Sequence, residues 1–444
     1  MAIGPSSVKV GSVSGGSNQN YGTALYSLMV LFFMLGFITS FNDILIPYLK
    51  VMFKLNFVQA NLINFCFFGA YFVMSIPAGK LVVKHGYKAI MILGFVIAAI
   101  GAFLFFPAAA YKTYGLFLGA LFILATGITL LQVAGNPYVA VLGTPETSSA
   151  RLTLTQALNS LGTTIAPMVG TYFILRHLPK LPKELTDQKD LSTLTPELDG
   201  LLDSILAKTD LIYLETTYLL IGGALLLIGG ILFLMKLPAI GHGDGEVSTE
   251  GLVEKSSIWG YRHLVLGITA IFAYVGAEVA IGSHIVNYLA MENVMGITES
   301  AAGDYIKYYW GGAMVGRFAG TYILGKVDPG KLLGIYAGVA ISLVLISIAS
   351  TGYVSMWSLL GVGLFNSLMF PTIFTLAIRG LGKYTEQASG LLCTAIVGGA
   401  VLPLLFAAIA DNTDGNLKLA MIVPIVCYMY ISFFGFKGHV PKKD

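Results

Sequence analysis

Charge is what this chain has least of. Only 11% of its 444 residues are Asp, Glu, Lys or Arg, where a soluble protein carries roughly 25%. That shortfall excludes a water-bathed globular fold. The net charge of +3 comes without a large basic cluster, which excludes a nucleic-acid-binding face. Cysteine is scarce as well. Cys66, Cys393 and Cys427 each fall inside an apolar run at spacings unlike a metal site, so they read as packing residues. No nucleophile–base pair or phosphate-binding loop stands out either, so neither an enzyme nor a cofactor is expected.

Apolar residues fill the space that charge leaves: 56% of the chain, with a mean hydropathy of +0.79. Glycine, with 52 residues, exceeds the usual share of about 7%, as suits transmembrane helices that approach closely or bend. Crossing a bilayer takes about 20 apolar residues. Twelve segments qualify: 22–48, 57–83, 88–108, 114–142, 151–175, 211–235, 263–290, 303–325, 331–350, 355–379, 388–410 and 419–437. The chain therefore reads as an all-α polytopic membrane protein. An even number of spans leaves both termini on one side. Counting Arg317 as a loop residue, that side holds sixteen of the 26 Lys and Arg residues, so the termini are expected in the cytoplasm.

The segments divide the chain. Residues 1–20, rich in Gly and Ser with no apolar leader, read as a disordered cytoplasmic tail. Residues 21–235 form a first set of six spans, 236–260 a cytoplasmic linker, 261–438 a second set, and 439–444 a short tail. The extracytoplasmic insertion 177–209 carries Leu198, Leu201, Leu202, Ile205 and Leu206 at helical spacing behind Thr195-Pro196, a surface helix with a cap and a first-turn proline. The halves repeat. Gly36 and Tyr48 match Gly276 and Tyr288 at an offset of 240; Gly127, Gln132 and Pro137 match Gly361, Asn366 and Pro371 at 234; Gly162 and Pro167 match Gly398 and Pro403 at 236. Transporters built from two such repeats bind substrate near the membrane midplane between them.

Polar residues inside the spans mark the expected site. Asp43 interrupts the first span and Glu278 the seventh; a carboxylate there costs about 2.5–3.5 kcal/mol on insertion scales and needs a partner, a cavity or a cation. Thr39 and Asp43 share a helix face, with Asn42 adjacent. Gln132 and Asn136 stand at i, i+4; Gln156, Asn159 and Thr163 form a stripe; Ser283 and Asn287 follow Glu278, beside His284; Asn366 is the repeat-mate of Gln132. Amides that donate and accept together, with a carboxylate, suit an uncharged solute with many hydroxyls. Phe41, Tyr274, Trp310, Phe370 and Phe374 offer aromatic faces.

Four motifs carry a resemblance: Asn42-Asp43-Ile44-Leu45, Leu131-Gln132-Val133-Ala134-Gly135-Asn136-Pro137, Leu154-Thr155-Gln156-Ala157-Leu158-Asn159-Ser160-Leu161-Gly162 and Phe370-Pro371-Thr372-Ile373-Phe374. With them the chain resembles the fucose:proton symporter family of the major facilitator superfamily, and within it the glucose/galactose transporter branch. The loop signature after the second span is kept in Gly79, Leu81, Gly86 and Lys88, with Val83 where Asp is usual. The resemblance implies two pseudo-symmetric six-helix bundles (the major facilitator fold), alternating access and cation-driven hexose uptake, with Asp43 as the coupling residue. In the fucose symporter the fourth span supplies a Glu; here the position is Gln132, which holds a sugar hydroxyl but carries no useful proton.

The reading favoured at this point is Na⁺/hexose symport across a bacterial-type inner membrane by a monomer. Asp43, Asn42, Thr39 and Glu278 are assigned to cation coupling, with Asp43 as the Na⁺ ligand. Gln132, Asn136, Gln156, Asn159, Glu278, Ser283, Asn287, Asn366 and Phe374 are assigned to the sugar. Proton coupling through Asp43 is the alternative. A drug/proton antiporter would carry fewer amides, and a sugar sensor a longer signalling tail.

Overall fold

The computed structural model describes residues 21–55, 57–177, 179, 182, 185, 194–207, 211–238, 255–413 and 415–441. The expected tail 1–20, most of the linker 236–260, much of the insertion 177–209 and residues 442–444 lie outside the described residues. Helices dominate, and the described residues contain no strand. The first half comprises α1 (Tyr21–Met52), α2 (57–85), α3 (87–103, continued by Phe105–Ala110), α4 (Tyr114–Val141), α5 (Ser148–Phe173) and α6 (Ile212–Leu234). The second comprises α7 (Arg262–Ala290), α8 (Ile306–Leu324), α9 (Pro329–Ala349), α10 (Gly352–Asn366 and Met369–Ala377), α11 (Thr385–Thr394 and Gly398–Asp411) and α12 (Leu417–Ala420 and Ile422–Phe433).

Nine stretches among the described residues are long and apolar enough to span a membrane. One of them, Leu62–Ala110, holds both α2 and α3, turning at Gly86, whose φ of 79° and ψ of 164° lie outside helical space. The twelve are completed by α5 and α8, which fall short in hydropathy because they carry Gln156, Asn159, Lys307 and Arg317. The least apolar spans are thus the ones richest in chemistry. Arg317 also needs correcting: it lies inside α8, seven residues before its end, not in a loop. The charge bias keeps its direction without it.

Within each half, glycines let two helices cross at backbone contact. A Cβ on Gly36 of α1 would stand 1.9 Å from the Asn159 carbonyl of α5, and one on Gly162 would stand 2.2 Å from the Phe33 carbonyl. The second half repeats the crossing: Gly276 of α7 meets Leu402 of α11, and Gly398 meets the Phe272 carbonyl at 2.1 Å. The repeat-mates found in sequence are therefore structural mates, and close approach is what small residues contribute where lipid supplies no hydrophobic drive.

The start of α1 and the end of α12 lie at one end of the helices, the terminal side: Ser27 meets Met235 past the end of α6, and His439 meets Gly330 at the start of α9. There the halves are stitched together. Ser149 Oγ lies 2.6 Å from Thr375 Oγ1, Ser389 Oγ donates to the Val133 carbonyl at 2.8 Å, and the Tyr87 hydroxyl donates to Glu386 at 3.2 Å. Lys88 holds the carbonyl end of α6, donating to Phe233 at 2.9 Å and Met235 at 2.6 Å, as a cation at a helix C-terminus should. On the opposite, far side, Ser283 and Asn287 of α7 are exposed. Helix α7 packs against α8, α10, α11 and α12 of its own half. The halves are bonded together at the terminal side, while the polar residues of α7 are exposed at the far side.

The amphipathic segment forms the expected surface helix, Pro196–Ala207. Leu202 and Leu206 are buried with Leu185 against Val51 and Met52 at the end of α1. Lys54 lies between Asp199 and Asp203, with Asp203 at 2.7 Å. Burial alone would lower the Lys54 pKa; hydrogen bonds and charge from the two carboxylates outweigh it and raise the value.

Candidate functional site

Two polar clusters lie midway along the helices, one in each half, linked by the hydrogen bond from Arg317 to Ser160. In the first half α4 and α5 supply it. Asn136 is fully buried, and Gln156, 9% exposed, reaches its Oδ1 from 3.5 Å, a long and weak contact. The Asn136 Nδ2 finds no acceptor, although Cys393 of α11 lies beside it. Gln132 is half-buried, and its side chain makes no hydrogen bond among the described residues. Asn159 is committed to structure: its Nδ2 donates to the Phe32 carbonyl of α1 at 3.1 Å. Thr163 donates to the Asn159 carbonyl at 3.1 Å, and Thr39 donates to Leu35 of its own helix at 2.7 Å. Asn42 and Asp43 lie on α1, and their side chains are outside the described residues.

The second cluster is denser and deeper. Glu278 is 9% exposed, and its Oε1 stands 3.6 Å from an Arg317 nitrogen, an ion pair too long to be a hydrogen bond. Tyr309 donates to the Glu278 carbonyl at 3.1 Å and accepts from Asn366 Nδ2 at 2.9 Å. Tyr274 and Tyr428 are buried at the edges of the same cluster. No hydrogen bond of ordinary geometry reaches Glu278 Oε1, Tyr274 OH, Asn366 Oδ1 or Tyr428 OH, although Tyr274 lies beside Glu278 and Tyr428 beside Asn366. Buried polar atoms left unpaired cost about 1–3 kcal/mol each, so small shifts within the cluster, or an added hydroxyl, would satisfy them. Hydroxyls of a solute, or water, match that set.

Local backbone explains the arrangement. A Cβ on Gly363 of α10 would stand 2.1 Å from the Tyr309 carbonyl, and one on Gly316 would stand 2.6 Å from the Leu364 carbonyl. These two glycines press α8 onto α10 and set Tyr309 and Arg317 beside Asn366. The helical run of α10 breaks between Asn366 and Met369, and the Ser367 carbonyl accepts from Arg317 Nε at 3.1 Å.

The structure thus gathers Glu278 and Asn366 on one side of the gap and Gln132, Asn136 and Gln156 on the other. Ser283 and Asn287 stand further along α7, exposed on the far side. Phe374 is fully buried in helix packing, stacked at 6.0 Å on Phe370; Phe370, half-buried beside Tyr274, is the aromatic nearer the cluster. Phe41 packs on Tyr218 inside the first half, and His284 bonds its own helix at Ala280 and rests on Phe406. An apolar groove on the flank, lined by Trp259, Phe272, Leu391 and Val397, contains none of these residues. Arg317, Tyr309 and Tyr428 had no place in the site read from sequence. The rule that singled out Asp43 and Glu278, a charge inside an apolar run, finds Arg317 as well; the tyrosines leave no such mark.

Residues 28–403 match the sequence model of the Major Facilitator Superfamily. The chain is 50% identical over 422 residues to a glucose/galactose transporter of Brucella abortus, covering 95% of each chain. It is 33% identical to the L-fucose-proton symporter of Escherichia coli, covering 94% of each. Among solved structures it superposes on the crystal structure of FucP, a Major Facilitator Superfamily transporter in the outward conformation, with a TM-score of 0.81 at 34% identity, covering 94% of this chain and 99% of that one.

Proposed function

Because the chain belongs to the Major Facilitator Superfamily, in the family of the glucose/galactose transporters and the L-fucose-proton symporter, we propose that it is a proton-coupled hexose symporter working by alternating access. The family is one of transporters, not enzymes. The observation that supports the substrate class is the pair of mid-membrane clusters, rich in amides and hydroxyls and holding one carboxylate in Glu278. The sodium reading favoured on sequence gives way here, because the ion named for the related symporter is the proton.

Gln132, Asn136 and Gln156 from one half, and Glu278 and Asn366 from the other, hold the sugar hydroxyls. Ser283 and Asn287 meet the sugar on its way in. Asp43 takes up the proton on α1, with Asn42 and Thr39 beside it. Sugar and proton together favour closure of the far side and opening of the terminal side, and the difference in their affinity for the two states moves the equilibrium. With the termini in the cytoplasm of a bacterial-type inner membrane, the far side is the outside and the structure stands ready to load. The working unit is a monomer.

The test is uptake of labelled D-glucose or D-galactose by purified protein in proteoliposomes. An inward proton gradient is expected to drive accumulation and a sodium gradient at constant pH is not. Stimulation by sodium alone would return the coupling ion to Na⁺; indifference to both sugars would remove the hexose. In Asp43→Asn, sugar binding is expected to persist while accumulation against a gradient is lost. Accumulation at the wild-type level would take the coupling role away from Asp43.

A further inference from the structure

We infer that Arg317 is a coupling strut: it ties the occupied state of Glu278 to the seam that closes the terminal side. This rests on the preceding reading only in that the protein alternates between two openings. Arg317 projects from α8 with three polar neighbours on three other helices. Its Nε donates to the Ser367 carbonyl at the break of α10. One terminal nitrogen pairs with Glu278 of α7 at 3.6 Å. The other donates to Ser160 Oγ of α5, which belongs to the opposite half. Glu278 is the one acidic residue beside it among the described residues.

The geometry divides the labour. The Ser367 bond and the Gly316 crossing fix the stem on the second half, so the guanidinium moves with that half. The Ser160 bond crosses the gap, with Thr164 and Met314 touching 3.5 Å apart alongside it. It continues the seam of Ser149–Thr375, Ser389–Val133 and Tyr87–Glu386 toward the midplane. The terminal side cannot open while those bonds hold. Of the two terminal-nitrogen contacts, the first is Glu278, whose Oε1 accepts no hydrogen bond of ordinary geometry and has the Tyr274 hydroxyl as its polar neighbour. A solute hydroxyl donating to that oxygen draws on the same charge that holds the guanidinium. Arg317 is then balanced differently between Glu278 and Ser160 when the site is full. A charged guanidinium buried against one carboxylate is costly to keep, and this use accounts for it.

The experiment labels two engineered cysteines in otherwise cysteine-free protein: S283C on the far side and T153C in the terminal seam, where Thr153 is buried beside Gly320 of the other half and bonds only its own helix. No sugar is present. In Arg317→Gln and in Ser160→Ala, T153C is expected to label roughly tenfold faster than in the parent, the size of one lost hydrogen bond to a charged group, while S283C labels more slowly. The reciprocal change is the signature of a shifted equilibrium; general loosening would speed both, and that outcome, like no change in either, overturns the strut. Arg317→Lys is expected to fall between the parent and Gln. A second arm adds D-glucose or D-galactose. Sugar is expected to change S283C labelling in the parent and to leave it unchanged in Arg317→Gln, and an equal response in both overturns the link to Glu278. If neither sugar acts on the parent, the hexose assignment fails and the sugar-free arm still decides the strut.

Discussion

Gly36 shows how little room a single residue can have. Its missing side chain is replaced by the Asn159 carbonyl, 1.9 Å from where a Cβ would be, so even alanine must push α1 and α5 apart. Overpacking of that kind costs about 1–3 kcal/mol or more. Gly36→Ala is expected to lower the thermal midpoint in detergent and to reduce uptake, whereas Gly69→Ala, which meets nothing within 4 Å, should behave as wild type. Gly86 is constrained differently: open space surrounds it, but its φ of 79° is held by backbone alone. Gly86→Ala there should cost about 1–3 kcal/mol through strain, visible as a lower midpoint with normal sugar affinity. At this scale sequence revealed Glu278, because a carboxylate inside an apolar run stands out. The same rule reaches Arg317, which is passed over only because a basic residue within two turns of a span's end ordinarily reaches out to the interface. Only the fold shows this one turned inward to Ser160.

Among elements, the surface helix Pro196–Ala207 has the most local logic. Its apolar stripe and its Thr-Pro start were legible, and the structure begins it at Pro196. Its docking place was not, since nothing in the stripe says which surface it covers. Lys54 supplies the answer from a left-handed position, φ 50°, just past α1. Its raised pKa means that the tie contributes fully below the unfolded value of 10.5 and is lost as pH climbs through the higher folded value. Amide exchange in 196–207 is therefore expected to stay level between about pH 7 and pH 9, after correction for its intrinsic rate, and to quicken at more alkaline pH. In Lys54→Gln it should be fast throughout. The helices α5 and α8 teach the opposite lesson. Polar side chains pull them below a strict apolar threshold, although the looser measure of apolar length admits 151–175 and 303–325, the two spans that meet across the gap.

For the whole molecule, span count and order were readable because each crossing demands its own apolar length and the repeat offsets recur from helix to helix. Which end stands open was not, because both openings use the same helices and the same contacts within each half. The difference lies in seam bonds such as Ser389 to Val133, between residues 256 apart in sequence. Ser389→Ala with Ser149→Ala is expected to speed conversion toward the terminal-open state, measured as faster counterflow at unchanged sugar affinity. A slower exchange would assign those bonds to the barrier rather than to the closed state. The glycine crossings of α1 on α5 and of α7 on α11 carry one more implication. Backbone wedged against backbone leaves each bundle no slack, so a bundle tilts as one piece or not at all. Slack there would let an ion slip through without cargo, and the cell would meet it as a leak that drains its stored gradient.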